Sequence, residues 1–116
     1  MMGVTPDRAV KEMLNSGADI VGANCGNGID NMIEIARKML DAIDAHFIIH
    51  SNAGIPSISN NQIVYHETPE YMAERFKILT NLGVNIIGGC CGTTPQHIEA
   101  LSAVISSAPV NQTEVN

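Results

Sequence analysis

Apolar positions along this chain fall into two patterns that alternate. In one pattern they recur at three- and four-residue spacing: Ala9, Val10, Met13 and Leu14; then Ile29, Met32, Ile33, Ala36, Met39, Leu40 and Ile43. The same spacing returns at Met72, Phe76, Leu79 and Leu82, and again at Ile98, Leu101, Val104 and Ile105. Each stripe predicts an amphipathic helix with one face in a core. The other pattern is a short apolar run, at Asp19 to Ala23, Phe47 to His50 and Asn85 to Gly88. These runs are too brief for helices and lack the polar alternation of a half-exposed sheet, so they predict buried parallel strands.

The punctuation agrees with this reading. Thr-Pro opens three of the helices, at Thr5-Pro6, Thr68-Pro69 and Thr94-Pro95. A Thr hydroxyl can accept from the first free amides, and proline has no amide hydrogen to lose at the first helical position. Gly17 and Gly83 close the first and third helices. The order is α-β-α-β-α-β-α, with connections of the length that β-α-β units use, which places the chain in the α/β class. The segment from Ala108 to Asn116 has neither periodicity nor core residues. One folded unit over 1–107 and a disordered tail over 108–116 are expected.

An internal repeat sharpens the topology. Gly17-Ala-Asp-Ile-Val-Gly-Ala-Asn-Cys-Gly26 matches Gly83-Val-Asn-Ile-Ile-Gly-Gly-Cys-Cys-Gly92 at Gly, Ile, Gly, Cys and Gly. The offset holds two strand-helix units, and the Phe47 strand begins the second. Equivalent positions in such units sit at equivalent heights, so Cys25 and Cys91 are expected at the carboxyl ends of their strands, one strand apart.

Charge and cysteine usage narrow the chemistry. The formal charge is −6, with no Lys/Arg cluster that could follow a phosphate backbone, so nucleic acid is not expected as a partner. No apolar run approaches the roughly 20 residues of a membrane span, and the start lacks a charged region followed by an apolar stretch. No membrane association and a cytoplasmic location are expected. Three cysteines, two of them adjacent, do not suit a disulfide framework and point to metal binding or thiol chemistry in a reducing compartment.

No Cys-x-x-Cys knuckle is present. Neighbouring side chains on a regular strand point to opposite faces, so Cys90 and Cys91 can meet one metal only where the strand breaks into a loop. Gly88, Gly89 and Gly92 around them supply that freedom. Three thiolates from two loop ends leave one corner of a tetrahedron for a substrate, the pattern of a catalytic zinc site. A thiol bound there would lose its proton and stay nucleophilic, which favours alkyl transfer to sulfur.

Gly22-Ala-Asn-Cys25, Asn52-Ala-Gly54 and Gly88-Gly-Cys-Cys-Gly-Thr-Thr-Pro95 together resemble the signature of the homocysteine S-methyltransferase family. The resemblance runs from about residue 5 to 106. Within the family it is closest to the homocysteine domain of cobalamin-dependent members. It implies a (β/α)8 barrel, of which this chain holds the last three β-α units and the preceding helix, with parallel strands. It also implies zinc held by Cys25, Cys90 and Cys91, completed by the sulfur of homocysteine, and methyl transfer giving methionine.

Asn52 matches a residue that can hold the fourth zinc position until homocysteine displaces it; an Asn stabilising a strand-end turn is the other reading. Asn24 is expected to line the same pocket and, like Asn52, to contact substrate. Methylcobalamin on a separate module is the implied donor, with S-methylmethionine or S-adenosylmethionine as the alternative. A non-enzymatic zinc-thiolate fragment is the competing function. Part of a barrel leaves two open sheet edges and an exposed inner face, so a missing half-barrel or a second copy is an expected partner, together with a corrinoid protein or domain. The family takes much of its grip on the amino and carboxylate groups of homocysteine from the part of the barrel outside this chain.

The remaining polar residues read as structural. His50 is expected as a hydrogen-bonded residue near a strand end, and His46, His66 and His97 as surface or loop positions. Glu67, Glu70 and Glu74 read as a solvated face near a helix start. No Walker, dinucleotide-glycine or Gly-x-Ser-x-Gly pattern occurs.

Overall fold

The structure, a computed structural model, describes residues 3–107. Its helices are α1 (Pro6–Asn15), α2 (Ile29–Ala42), α3 (Pro69–Leu82) and α4 (Pro95–Ser107). Its strands are β1 (Ile20–Cys25), β2 (His46–Ser51), β3 (Ser57–Ser59), β4 (Gln62–Val64) and β5 (Ile86–Gly89). The segment from Ala108 onward, read from the sequence as a tail, lies outside the described residues.

The Thr-Pro starts take three forms. At α3 the Thr68 hydroxyl accepts from the Tyr71 amide at 3.1 Å. At α1 the Thr5 side chain makes no such bond. At α4 the cap is reciprocal, with the Thr94 hydroxyl accepting from His97 N–H at 3.4 Å and Thr94 N–H donating to His97 Nδ1 at 3.1 Å. This is a capping box in which an imidazole stands where Glu or Gln is usual. α2 has Gly28 at its N-cap and no local side chain to cap it. Its Ile29 amide instead donates to the Glu67 carboxylate at 3.0 Å, which also sets a negative charge at the positive end of the helix.

Three strands form a parallel sheet in the order β1-β2-β5. Ile20 to Cys25 pair in register with His46 to Ser51, and Ile48 to Ser51 with Ile86 to Gly89. Alternation divides the sheet into two faces. Val21, Phe47, Ile49 and Ser51 are buried on one face, beneath Ile29, Met32, Ile33, Ala36 and Met39 of α2 and Met72, Phe76 and Leu79 of α3. The other face stays open, with Ile20 at 48% and Ile86 at 41% exposure. The α/β class and the parallel sheet therefore agree with the sequence, and the arrangement is compatible with part of a barrel.

Three stripe residues lie outside the core that their spacing implied. Met13, Ile98 and Ile105 are exposed. The helices pack in the row α1-α2-α3-α4; α1 and α4 end it, so each has a helix neighbour on one flank alone. A second difference is the hairpin β3–β4, which pairs antiparallel around Asn60-Asn61 with φ of 51° and 63°. Two successive left-handed residues suit a type I′ turn, a conformation that Asn tolerates. Ile58 and Ile63 face each other across it and are mostly exposed.

One contact fixes how closely β1 approaches β2. A Cβ added at Gly22 would lie 1.7 Å from the Ile48 carbonyl oxygen, which belongs to backbone and cannot swing aside. Gly22→Ala is expected to cost about 3 kcal/mol or more through overpacking, seen as a lower urea midpoint by circular dichroism.

Candidate metal centre

β1 ends at Cys25, whose φ of 67° is left-handed, and Gly26 follows with φ 74°. Two such residues in succession turn the chain sharply out of the sheet. β5 ends at Gly89, so Cys90 and Cys91 lie in the loop that leads to α4. The strand break that the adjacent cysteines required is therefore present.

The three Sγ atoms lie within 4.8 Å of one another. Cys25 and Cys90 are half-buried, Cys91 is exposed, and the Cys25 and Cys90 sulfurs are 3.0 Å apart. The edge of a tetrahedron of sulfurs around zinc is about 3.8 Å. A cation of that size fits with a small outward movement of Cys25 and Cys90. The donor set is soft and suits zinc.

The same crowding shifts the Cys25 and Cys90 thiols in opposite directions. Cys25 donates to the Cys90 sulfur, and this bond, with burial and the two neighbouring thiols, pushes its thiol up to about 11. Accepting that bond holds Cys90 below its ordinary range. At neutral pH the pair therefore retains a proton that a metal must displace.

Asn52 sits between the two loops and is buried at 8% exposure. Its side-chain amide donates to the Gly26 carbonyl at 3.1 Å, and its Oδ1 accepts from the Cys91 amide at 3.0 Å. Its own main-chain N–H donates to the Cys25 carbonyl at 3.0 Å, and Ala53 N–H donates to Cys91 O at 2.9 Å. In this structure both polar ends of Asn52 are engaged with backbone, and the residue clamps the cysteine loops. Asn24 is exposed, with its amide 3.4 Å from the Cys25 sulfur. All five residues singled out in the sequence thus converge.

Of the residues read as surface or solvated positions, His97 is buried and Glu67 half-buried. His97 is 6% exposed and binds the Glu67 carbonyl through Nε2 at 2.7 Å. Since Nδ1 accepts from Thr94 N–H, Nε2 carries the proton and donates. Glu67 N–H donates to Ala53 O at 3.0 Å, so one residue links the β2 loop, the start of α2 and the start of α4. Burial pushes the Glu67 carboxyl up, against the pull of the Ile29 amide. The signal for His97 was its place three residues after Thr94. The side chain of His50, expected to be hydrogen-bonded, makes no hydrogen bond among the described residues; it is half-buried, on the open face of the sheet.

Residues 1–105 match the family model described as homocysteine S-methyltransferase. The chain belongs to that family. It is similar to the methionine synthase of Mycobacterium leprae, 32% identical over 91 residues, and to that of Mycobacterium tuberculosis, 32% identical over 92. Each match covers 78% of this chain and 8% of the relative, so the chain spans a small fraction of the length of the curated relatives it matches. No helix among the described residues is long and apolar enough to cross a membrane.

Asn52→Ala would strand the Gly26 carbonyl and the Cys91 amide. It is expected to cost about 2 kcal/mol and to weaken zinc retention, measured by urea denaturation and by competition with a chelating dye. Because the cysteine pair holds its proton at neutral pH, zinc uptake should release protons. Apparent zinc affinity should then fall about tenfold per pH unit for each proton displaced as pH drops. Calorimetric titration in two buffers of different protonation enthalpy checks this.

Proposed function

We propose that this chain is the zinc-thiolate arc of a (β/α)8 barrel that transfers a methyl group to homocysteine, giving methionine. The observation that carries the reading is the convergence of Cys25, Cys90 and Cys91 from two strand ends, in a group that holds no fourth His, Cys, Asp or Glu among the described residues. Three protein sulfurs leave one position for a substrate sulfur. Zinc bound there would keep a thiol substrate ionised at neutral pH.

The roles of the chain's own residues follow. Cys25, Cys90 and Cys91 hold the metal. Asn52 keeps their loops at a fixed separation through its bonds to Gly26 and Cys91. Asn24 lies beside the Cys25 sulfur, where substrate would enter. The substrate lone pair forms the new sulfur–methyl bond, and the donor keeps the electron pair of the bond that breaks. Methylcobalamin on a separate corrinoid module is the proposed donor, as the resemblance of Gly88-Gly-Cys-Cys-Gly92 and Asn52-Ala-Gly-Ile-Pro56 to cobalamin-dependent members implies.

The open inner face supports a further arc of barrel or a second copy as partner. Parallel sheets are ordinarily covered on both faces, and here Ile20 and Ile86 are left bare. A second reading, a metal-binding fragment without turnover, is favoured by one fact: the chain spans 8% of its relatives' length.

The test is methionine formation by the zinc-loaded chain with homocysteine and, in turn, methylcobalamin, S-methylmethionine and S-adenosylmethionine. Methionine from methylcobalamin, reduced at least about a hundredfold in Cys90→Ala, supports the proposal. Zinc and homocysteine binding with no methionine from any donor would establish the second reading.

A further inference from the structure

One polar layer crosses the open face of the sheet just before the cysteines. Asn24 on β1, His50 on β2 and Gly88 on β5 are register partners. Alternation sets His50 away from the helices, because Phe47, Ile49 and Ser51 take the core side of β2. With Gly22, Ala23 and Ile48, the side chains of Asn24 and His50 line an open cavity of about 310 Å³.

The ring of His50 occupies the space that a side chain at residue 88 would fill. A Cβ on Gly88 would lie 2.7 Å from Cδ2 and 3.0 Å from Nε2 of the imidazole. The ring therefore leans toward β5, the strand that leads into Cys90 and Cys91. On the other side, the Asn24 amide lies 3.4 Å from the Cys25 sulfur. The cavity lies between β1 and β2 and adjoins the thiolate centre at Asn24, while the His50 ring on its wall borders β5.

Its chemistry is that of a donor pair. A neutral imidazole offers one N–H and the Asn amide two, of which one is directed at sulfur. No acidic side chain lines the cavity. His50 is half-buried, and its nitrogens have no hydrogen-bond partner among the described residues. No buried side-chain nitrogen or oxygen among the described residues lacks a partner, so the ring nitrogens of His50 reach the open cavity, where a ligand can replace water.

We propose that Asn24 and His50 form a carboxylate-binding subsite that grips the α-carboxylate of a thiol amino acid whose sulfur lies at Cys25, Cys90 and Cys91. Two methylene groups and the α-carbon separate sulfur from carboxylate in homocysteine, so the carboxylate must fall close to the cysteine layer, where this cavity opens. The inference rests on the thiolate-site reading and adds to it. This arc of the barrel then supplies a substrate contact of its own, whereas the family resemblance places much of the grip elsewhere.

The experiment compares homocysteine with its decarboxylated analogue, 3-aminopropanethiol, by calorimetric titration of the zinc-loaded 116-residue chain. The wild-type chain should prefer homocysteine. His50→Ala should weaken homocysteine binding about tenfold and leave the analogue unchanged, with equal zinc content showing that the site still forms. His50→Gln, which keeps an amide donor, should recover part of the preference. An unchanged homocysteine-to-analogue ratio in His50→Ala would overturn the subsite, as would equal binding of the two thiols by the wild-type chain, while leaving the thiolate site standing. Binding of neither thiol by the wild-type chain would remove the thiolate-site reading and the subsite with it.

Discussion

From the last residue of β2 onward, the main chain of Ser51, Asn52 and Ala53 is bonded to both neighbouring strand ends. Ser51 O accepts from Cys90 N–H at 2.8 Å, Asn52 N–H donates to Cys25 O, and Ala53 N–H donates to Cys91 O. The Asn52 side chain adds a bond in each direction. The middle strand therefore sets the spacing of the two loops that carry the cysteines. Without it, β1 and β5 would share no backbone pairing at this end, since they are not neighbours in the sheet. The Cys25 thiol is held protonated by its bond to the Cys90 sulfur, so a cation that takes both sulfurs must displace that proton.

The support extends outward through Glu67 and His97. Glu67 bonds Ala53, the amide that opens α2, and the imidazole that caps α4. Tyr65 reinforces the same region: a Cβ on Gly92 would lie 2.2 Å from its ring, so the aromatic side chain lies against the loop after Cys91. Helix starts, strand ends and the cysteine loops are tied into one layer at the carboxyl edge of the sheet. α/β folds place ligands at this edge, because the loops there can vary while the strands stay fixed.

Much of this was legible in the sequence. The Thr-Pro starts and the apolar periods locate the helices, and the repeat around Gly22-Ala-Asn-Cys25 and Gly88-Gly-Cys-Cys91 brings the cysteines to one edge. What escaped had physical causes. Periodicity reveals a stripe but not which flank of a helix has a neighbour, so Met13, Ile98 and Ile105 were assigned inward. The bond from Ile29 to Glu67 spans 38 residues of sequence, and no local pattern announces it. His97 serves a capping box as an imidazole, a residue type outside the usual signature. The hairpin β3–β4 has three-residue strands, too short for alternation to stand out, although Asn60-Asn61 marked its turn. Asn52 was readable as a residue between two cysteine strands, but its bonds to Gly26 and Cys91 depend on both loops being in place.

The central claim is that Cys25, Cys90 and Cys91 hold a zinc ion with one position left for a substrate thiolate. X-ray absorption at the zinc edge, on the zinc-loaded chain with and without homocysteine, tests it most directly. Three sulfur ligands rising to four on addition of homocysteine is the result this account predicts. A sulfur count that stays at three, or a chain that retains no zinc, would contradict it.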